Sequence, residues 1–202
     1  MKLYFSPGAC SLSPHIVLLE AGLPYTLDRV DLRSKLTSTG QDYRSINDKG
    51  YVPALETDSG LVLTEGPAIV PYLADLVPGK ALAPAPGTSE RYQLAGWLNF
   101  IGTELHKTYS PLFDPSVSDE VKAYARANLA KRYTYVNSKL EGQDYLCGNR
   151  FSVADAYLFV ITNWAGLVKF DLDGFPHLKA FQQRIGARPA VQQALRAEGL
   201  ID

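Results

Sequence analysis

The stretch that decides the fold lies near the N-terminus and reads LYFSPGACSLS over residues 3–13. Its first residues, Leu3 to Phe5, predict a short apolar strand, and residues 6–9 have the composition of a loop. A helix follows, in which apolar residues recur at helical spacing and for which Gly22 is a natural stop. These residues are Leu12, Ile16 and Leu19. The pattern predicts a strand, a loop and a helix, with Cys10 directly before the helix.

The next sixty residues continue a mixed pattern of strands and helices. Tyr25–Val30 predicts a second strand, and the polar stretch Arg33–Gly50 has no clear period. Two short apolar runs, Ala54–Thr57 and Leu61–Leu63, flank Asp58-Ser59-Gly60, which is typical of a hairpin. Another helix is indicated by apolar residues at Ile69, Leu73 and Leu76. This order predicts a small α/β layer structure.

The chain changes character near residue 80. Residues 77–88 are rich in proline and glycine, which is linker composition. After this segment the strand signals disappear, and four apolar stripes at helical spacing follow. They begin at Leu94, Val121, Val153 and Leu178. We therefore predict an α/β domain over residues 1–78, a linker over 79–87 and an all-helical domain over 88–202.

The composition of the 202 residues excludes several classes of protein. A formal net charge of -1 argues against a nucleic-acid binder, and 46% hydrophobic residues suit a globular protein with a real core. No apolar run approaches the length that spans a membrane, and the first residues do not have the pattern of a signal peptide. Two cysteines fit a reducing compartment better than a disulfide framework. We expect a cytoplasmic protein without metal or cofactor that binds neither membrane nor nucleic acid.

Cys10 is the first candidate for chemistry. The N-terminus of a helix carries unpaired N–H groups and partial positive charge, and such a place lowers the pKa of a thiol from about 8.5 into the range of roughly 3.5–7.5. The alternative is a small buried cysteine with no reactivity, and position alone leaves the two interpretations even. Ser13 stands where a Cys-x-x-Cys motif would need its second thiol. A disulfide at Cys10 would therefore require an external thiol to resolve it.

Val52-Pro53 is a second local signal, because it precedes a short predicted strand. A cis bond here would leave the Val52 backbone able to pair with an extended, peptide-like ligand. The alternative is a trans proline at the start of an edge strand, which the sequence alone favours.

Three segments of the first half resemble the glutathione-binding domain of glutathione transferases: Pro7–Leu12, Val52–Leu55 and Thr64–Ile69. Two segments of the second half, Glu104–Lys107 and Phe151–Tyr157, resemble the helical domain of that family. The resemblance covers essentially the whole chain and is strongest to the bacterial beta class. It implies a thioredoxin-like first domain, an all-α second domain, glutathione as co-substrate and a homodimer. One departure is Gly66, where many members of the superfamily have a serine whose hydroxyl would bond a carboxylate.

The resemblance assigns roles to individual residues. Cys10 and His106 are implied to be catalytic, whereas Tyr4 fits that role less well. The implied glutathione-binding residues are Cys10, Lys35, Val52, Pro53, Glu65, Gly66, Asn99, Thr103, Glu104, His106 and Lys107.

Residue chemistry supports part of this assignment. Gly66 is acceptable at an N-cap and Pro67 is favoured at the first helical position, so a helix beginning here presents N–H groups to an anion. On an ideal helix, Asn99, Thr103 and His106 lie within about 60° of each other, opposite the apolar stripe. A histidine in a short polar stripe can exchange protons near neutral pH, although a structural histidine is the alternative.

The helical half supplies further candidates. Walls of an apolar co-substrate pocket are predicted from Tyr109, Phe113, Tyr157 and Trp164, with plain core packing as the alternative. Ser152 and Asp155 have the spacing of a capping box, so Asp155→Ala is expected to lower stability by roughly 0.5–2 kcal/mol. Cys147 is expected to be a buried structural thiol.

The predicted function is transfer of glutathione to a small hydrophobic electrophile, with Cys10 able to form a mixed disulfide with glutathione. Two alternatives remain at this stage. One is a glutathione-dependent thiol-disulfide reductase, and the other is a non-enzymic ligand carrier on the same fold.

Overall fold

The computed structural model describes residues 1–202, which divide into two units. Unit 1 consists of Met1–Ala83 together with Ala187–Asp202, and unit 2 is Pro84–Gly186. The boundary between the two units at residues 83–84 lies in the proline-rich segment 77–88, which contains the predicted linker. None of the helices is both long and apolar enough to cross a membrane.

Unit 1 contains a mixed sheet of five short strands. They are β1 (Lys2–Phe5), β2 (Thr26–Asp31), β3 (Leu36–Thr37), β4 (Ala54–Glu56) and β5 (Val62–Thr64). Their order across the sheet is β3-β2-β1-β4-β5. Only β1 and β2 are parallel, and the other neighbours are antiparallel. The hairpin predicted around Asp58-Ser59-Gly60 is the β4–β5 pair, and the two-residue strand β3 lies in the stretch without a clear period.

Two helices of unit 1 were predicted, α1 (Leu12–Ala21) and α2 (Gly66–Asp75). α1 ends as expected at Gly22, whose φ of 69° is left-handed and whose N–H donates to carbonyls of the last turn. Leu76, predicted to share the buried stripe of α2, lies after the helix and is exposed. The mixed α/β class predicted for this half of the chain is confirmed.

The last helix, α8 (Pro189–Ala197), packs on α1 and belongs to unit 1. This differs from the predicted bounds, which place all of residues 88–202 in the helical domain. Arg188 forms two hydrogen bonds to the Glu20 carboxylate, at 2.6 and 2.9 Å. Glu198, just after α8, accepts from the Gly8 N–H at 2.9 Å and bonds to His15 Nδ1 at 2.8 Å. The C-terminal segment therefore fixes both α1 and the loop before Cys10.

Unit 2 is entirely helical, as predicted. Its helices are α3 (Ser89–Phe100), α4 (Lys107–Phe113), α5 (Asp119–Lys139), α6 (Val153–Leu167) and α7 (Pro176–Gly186). A π-helical segment, Ile101–His106, joins α3 to α4 without a break. The predicted apolar stripes are buried, with the exception of Val121, which lies in the first turn of α5 and is exposed.

The core of unit 2 is built around α6, whose residues from Val153 to Thr162 are all buried. The predicted capping box begins this helix. The Asp155 carboxylate accepts hydrogen bonds from the Ser152 N–H and the Ser152 hydroxyl at 2.7 Å each and from the Leu146 N–H at 2.8 Å. Because Asp155 is 0% exposed, these three donors compensate for part of the loss of water around the carboxylate.

Replacement of Asp155 by alanine should destabilise the fold. The change leaves two buried backbone donors and a hydroxyl without their acceptor, so we expect Asp155→Ala to lower the free energy of unfolding by about 1–3 kcal/mol at pH 7. Urea unfolding followed by circular dichroism measures this difference. Asp119→Ala, which removes an exposed carboxylate from the first turn of α5, is the matched control and should change stability by less than about 0.5 kcal/mol. Equal stability of Asp155→Ala and wild type would contradict the structural role.

The same carboxyl group should make stability depend on pH. Burial raises the pKa of Asp155 from 3.8 to about 6, although its hydrogen bonds act in the opposite direction. Since the folded pKa lies above the unfolded one, the stabilising contribution is complete below about pH 4 and is lost as the pH rises through about 6. We expect the difference between wild type and Asp155→Ala to be ~1–3 kcal/mol larger at pH 4 than at pH 7. Urea unfolding at both pH values checks this, and a difference independent of pH would refute it.

Candidate functional site

Cys10 lies in a turn two residues before α1, and the register of the sheet explains what it contacts. β1 and β4 are antiparallel neighbours, with Tyr4 opposite Ala54. The loop that follows β1 and the segment that precedes β4 therefore meet at the same end of these two strands. The Cys10 thiol is half-buried there, and its Sγ lies 3.3 Å from the carbonyl oxygen of Val52. The structure thus brings together two of the predicted site residues.

The Val52-Pro53 peptide bond is cis, whereas the sequence alone favoured the trans alternative. The preceding carbonyl group, that of Tyr51, accepts from the Tyr43 hydroxyl at 2.8 Å and from Asn47 Nδ2 at 2.7 Å. Tyr43 and Asn47 are both buried and lie in the stretch that has no clear period. Sequence reasoning missed both residues, because nothing in a polar stretch indicates which side chains turn inward.

Tyr4 is buried and its hydroxyl donates to Glu56 Oε2 at 2.9 Å. Burial, reinforced by the Glu56 carboxylate, raises the pKa of this phenol far above its ordinary value of 10. Tyr4 is therefore a neutral structural group at neutral pH. Its surroundings agree with the expectation that Cys10, rather than this tyrosine, fits the catalytic role.

Two lysines lie near the segment that precedes the cis bond. Lys35 has a left-handed backbone, with φ of 61°, and its Nζ donates to the Gly50 carbonyl oxygen at 3.0 Å. Lys49 donates to the Thr64 hydroxyl at 2.9 Å and to Glu65 Oε1 at 2.6 Å. Lys49 was not predicted from the sequence, because an isolated lysine beside a glycine carries no signal of its partner.

The start of α2 differs by one residue from the prediction. Glu65 is the N-cap, and Gly66 and Pro67 are the first two residues of the helix, whereas Gly66 was expected at the N-cap. Glu65 adopts φ of 69°, a conformation that non-glycine residues rarely take and that is found preferentially at binding sites. The first turn of α2 remains a place where backbone N–H groups can receive an anion.

In unit 2, His106 is the last residue of the π-helical segment, a type of irregularity that is frequent at functional sites. Its Nδ1 lies 2.7 Å from the Tyr157 hydroxyl, and its ring contacts Trp164 edge to face, with 4.9 Å between ring centroids. The His106 imidazole is thus partly buried and held by two side chains of α6. The arrangement fits a proton-exchanging group, because such a group needs a fixed ring.

The other predicted residues of this segment fall into two groups. Asn99, Thr103 and Lys107 are exposed, and the Thr103 hydroxyl donates to the Asn99 carbonyl oxygen at 3.0 Å. The Glu104 carboxylate accepts from Arg132 Nε at 2.6 Å. The predicted angular spacing of these residues assumed an ideal α-helix, and the π-helical segment changes it, since each of its turns contains more residues.

The four residues predicted to line a co-substrate pocket form one aromatic cluster with His106. Ring centroids are 6.2 Å apart for Tyr109 and Phe113, 5.7 Å for Tyr109 and Trp164, and 5.5 Å for Phe113 and Trp164. Within the cluster, Phe113 is 47% exposed and Tyr109 is 0% exposed. Tyr109 therefore does not line a pocket, contrary to the prediction. Its hydroxyl bonds to that of Tyr133 at 2.7 Å, and it belongs to the core.

The remaining chemistry of the chain is limited. Cys147, expected to be a buried structural thiol, is only half-buried. Burial nevertheless raises the pKa of its thiol to about 11, which favours the protonated form at neutral pH. Neither cysteine is in a disulfide. The structure contains no group of three or more His, Cys, Asp and Glu side chains that could bind a metal ion.

Comparison with known proteins identifies both halves of the chain. Residues 8–76 match the family "Glutathione S-transferase, N-terminal domain", and residues 100–189 match "Glutathione S-transferase, C-terminal domain". Glutathione S-transferase GstA of Escherichia coli O157:H7 is 50% identical over 200 residues, which are 99% of this chain and 100% of that protein.

Solved structures agree with the sequence matches. A ternary complex of BphK, a bacterial glutathione transferase, has 60% identity and a TM-score of 0.98, covering 99% of this chain and 100% of that one. The beta-class enzyme of Sphingomonas chungbukensis has 47% identity and a TM-score of 0.97, with both chains covered completely, at 100%. The chain therefore belongs to the glutathione S-transferase family, in the bacterial beta class, and is a transferase enzyme.

Proposed function

We propose that the protein conjugates glutathione to small hydrophobic electrophiles. In this reaction the glutathione thiol gives its proton to solvent, and the thiolate attacks an electrophilic carbon to form a C–S bond. The displaced electron pair leaves with the leaving group or, in an addition, remains on the adduct, which takes up a proton from solvent. The observation that supports this most directly is the position of the Cys10 thiol, 3.3 Å from the Val52 carbonyl oxygen and next to the cis Val52-Pro53 bond. A thiol and a backbone segment able to pair with a peptide-like ligand coincide there, just before β4.

The residues of unit 1 match the charges of glutathione, which carries two carboxylates, one ammonium and one thiol. Lys35 is the donor proposed for the glycine carboxylate, and the first turn of α2 at Gly66 is proposed for the γ-glutamyl carboxylate. Glu65 is the acceptor proposed for the ammonium group. Its ion pair with Lys49 supports this role, because the pair fixes the carboxylate at the N-cap of the same helix.

His106 is proposed as the second catalytic residue. A neutral imidazole can stabilise a thiolate by donating a hydrogen bond, and it can exchange a proton near neutral pH. Its bond to Tyr157 and its contact with Trp164 support this role, since both fix the ring. Asn99, Thr103, Glu104 and Lys107 are proposed as further glutathione-binding residues of the same helical stretch.

The electrophile is proposed to be small and apolar. Phe113 supports this, because it is the member of the aromatic cluster with substantial exposed surface. Aromatic rings offer apolar area and edge-to-face contacts to such a compound. Trp164 lies beside Phe113, with 5.5 Å between ring centroids, and would complete the wall. Tyr157, which is only 2% exposed, would contribute to it through its contact with His106 rather than by touching the electrophile.

The assembly and location are likewise proposals. We propose a homodimer in the cytoplasm, with glutathione as co-substrate and no bound metal or cofactor. The family to which the chain belongs supports this combination. The proposed conjugation supports the absence of a metal or cofactor, because all of its bonding changes occur between two organic substrates. Sedimentation velocity at micromolar concentration should give twice the mass of one chain.

A second activity is disulfide exchange with glutathione, and the half-buried thiol of Cys10 favours it. The Cys10 thiolate would attack the glutathione sulfur of a mixed disulfide between glutathione and a second thiol, form a disulfide between Cys10 and glutathione and release the second thiolate, which takes up a proton. Attack by a glutathione thiolate on the disulfide at Cys10 would regenerate the Cys10 thiolate and release glutathione disulfide. No oxidant is needed, because each step exchanges one disulfide for another.

Replacement of Cys10 distinguishes the two activities. We expect Cys10→Ala to abolish disulfide exchange, because no sulfur remains to form the mixed disulfide, and to lower conjugation roughly tenfold or less if glutathione supplies the nucleophile. Conjugation of 1-chloro-2,4-dinitrobenzene and reduction of a glutathione mixed disulfide are the two assays. Tyr4→Phe is the control and should leave both within about twofold, since its hydroxyl bonds to Glu56. A Cys10→Ala variant that retains full exchange activity would contradict the second activity.

Addition of the absent hydroxyl at Gly66 tests the anion site. Gly66→Ser provides a second donor next to the backbone N–H at the start of α2, so we expect the KM for glutathione to fall roughly three- to tenfold with kcat little changed. Steady-state kinetics with varied glutathione measure this. Gly60→Ser, in the β4–β5 turn, is the matched glycine control for kinetics only, because Gly60 has φ of 82° and its replacement strains the backbone. A higher KM for Gly66→Ser would place the glutathione carboxylate elsewhere.

A further inference from the structure

The contact between His106 and Tyr157 joins two residues that the sequence placed in different roles, one in catalysis and the other in a pocket wall. Both residues belong to unit 2. The Nδ1 atom of His106 and the hydroxyl oxygen of Tyr157 are 2.7 Å apart, and the two rings are nearly perpendicular, with an interplanar angle of 80°. This distance is short for a hydrogen bond that involves a nitrogen atom.

Tyr157 is on a rigid part of the molecule. It lies in the second turn of α6, directly after the capping box of Ser152 and Asp155, and it is only 2% exposed. Its neighbours on both sides, Ala156 and Leu158, are completely buried. The position of its hydroxyl is therefore fixed by the core of unit 2.

His106, by contrast, ends a π-helical segment and is partly exposed. A histidine ring in such a place can turn about two side-chain bonds and can carry its proton on either nitrogen. The edge-to-face contact with Trp164 limits the rotation of the His106 ring, but an aromatic contact does not distinguish Nδ1 from Nε2. The hydrogen bond to Tyr157, by contrast, is made at Nδ1 and thus distinguishes the two nitrogens.

We propose that Tyr157 is a positioning residue for His106: its hydroxyl donates to Nδ1 and thereby keeps the proton of the neutral imidazole on Nε2. A phenol is a better donor than acceptor at neutral pH, and an Nδ1 atom that accepts cannot carry a proton. The second nitrogen is then a hydrogen-bond donor with a fixed direction.

This inference rests on the proposed function, in which His106 acts on the glutathione thiol. An imidazole with its proton on Nε2 stabilises a thiolate by donating to it, and it does not accept the thiol proton through that nitrogen. Tyr157 would thus determine which of the two possible actions of His106 occurs, without touching either substrate. Its loss should affect turnover more than the binding of glutathione.

The test compares Tyr157→Phe with Tyr109→Phe. Both variants remove one hydroxyl from the same aromatic cluster, but the hydroxyl of Tyr109 bonds to Tyr133 and not to His106. The 15N resonances of the His106 side chain, assigned by their loss in His106→Asn, report which nitrogen carries the proton. We expect wild type to have the proton on Nε2, Tyr157→Phe to shift the Nδ1 resonance, and Tyr109→Phe to leave it in place.

Kinetics provide the second measurement. We expect Tyr157→Phe to lower kcat roughly tenfold with the KM for glutathione within about twofold, and Tyr109→Phe to change neither by more than about twofold. A proton on Nδ1 in wild type overturns the inference, and this spectrum needs no variant to fold. An unchanged Nδ1 resonance in a folded Tyr157→Phe variant overturns it as well. Full turnover by His106→Asn would instead contradict the catalytic role of His106, while the 15N comparison would still decide the role of Tyr157.

Discussion

The contact between the Cys10 thiol and the Val52 carbonyl oxygen depends on how β1 and β4 pair. Antiparallel neighbours bring the end of one strand beside the start of the other, so the loop after Phe5 faces the segment before Ala54. Three hydrogen bonds near this contact hold the two segments in place. Tyr43 and Asn47 bond to the carbonyl group of Tyr51, and Glu198 bonds to the N–H of Gly8. A few hydrogen bonds from distant parts of the sequence thus determine the surroundings of one thiol.

Local signals in the sequence were sufficient for much of this architecture. Gly22 stops α1 because it adopts a left-handed conformation, and Asp58-Ser59-Gly60 turns the hairpin for a related reason at Gly60. The capping box at Ser152 is equally local, since both of its partners lie within one turn. Such features depend on residues close in the chain, and they can be predicted without knowledge of the tertiary structure.

The features that were missed depend on contacts between distant residues. α8 has a short apolar stripe, and it packs on α1 in unit 1, where Arg188 pairs with Glu20, 168 residues away. The inward positions of Tyr43 and Asn47 depend on their hydrogen bonds to the carbonyl group of Tyr51, which the polar stretch around them does not reveal. The places of Cys10 before α1 and of the start of α2 could therefore be predicted to within one residue, but the residues that support them could not. For Tyr109, spacing alone did not separate a pocket wall from the core, because the distinction depends on the buried hydroxyl of Tyr133.

Buried polar groups have two different effects in this molecule, and the difference lies in their partners. Asp155 accepts from three donors, yet burial still raises its pKa to about 6, so at neutral pH its charge opposes part of the stability that the capping box provides. Tyr157, two residues further along α6, is a phenol whose hydroxyl, in our proposal, donates a hydrogen bond to His106. A neutral donor adds direction without the cost of a buried charge. A tyrosine hydroxyl is therefore a suitable group for orienting a neutral histidine. A carboxylate in the same place would instead favour the imidazolium form of the ring.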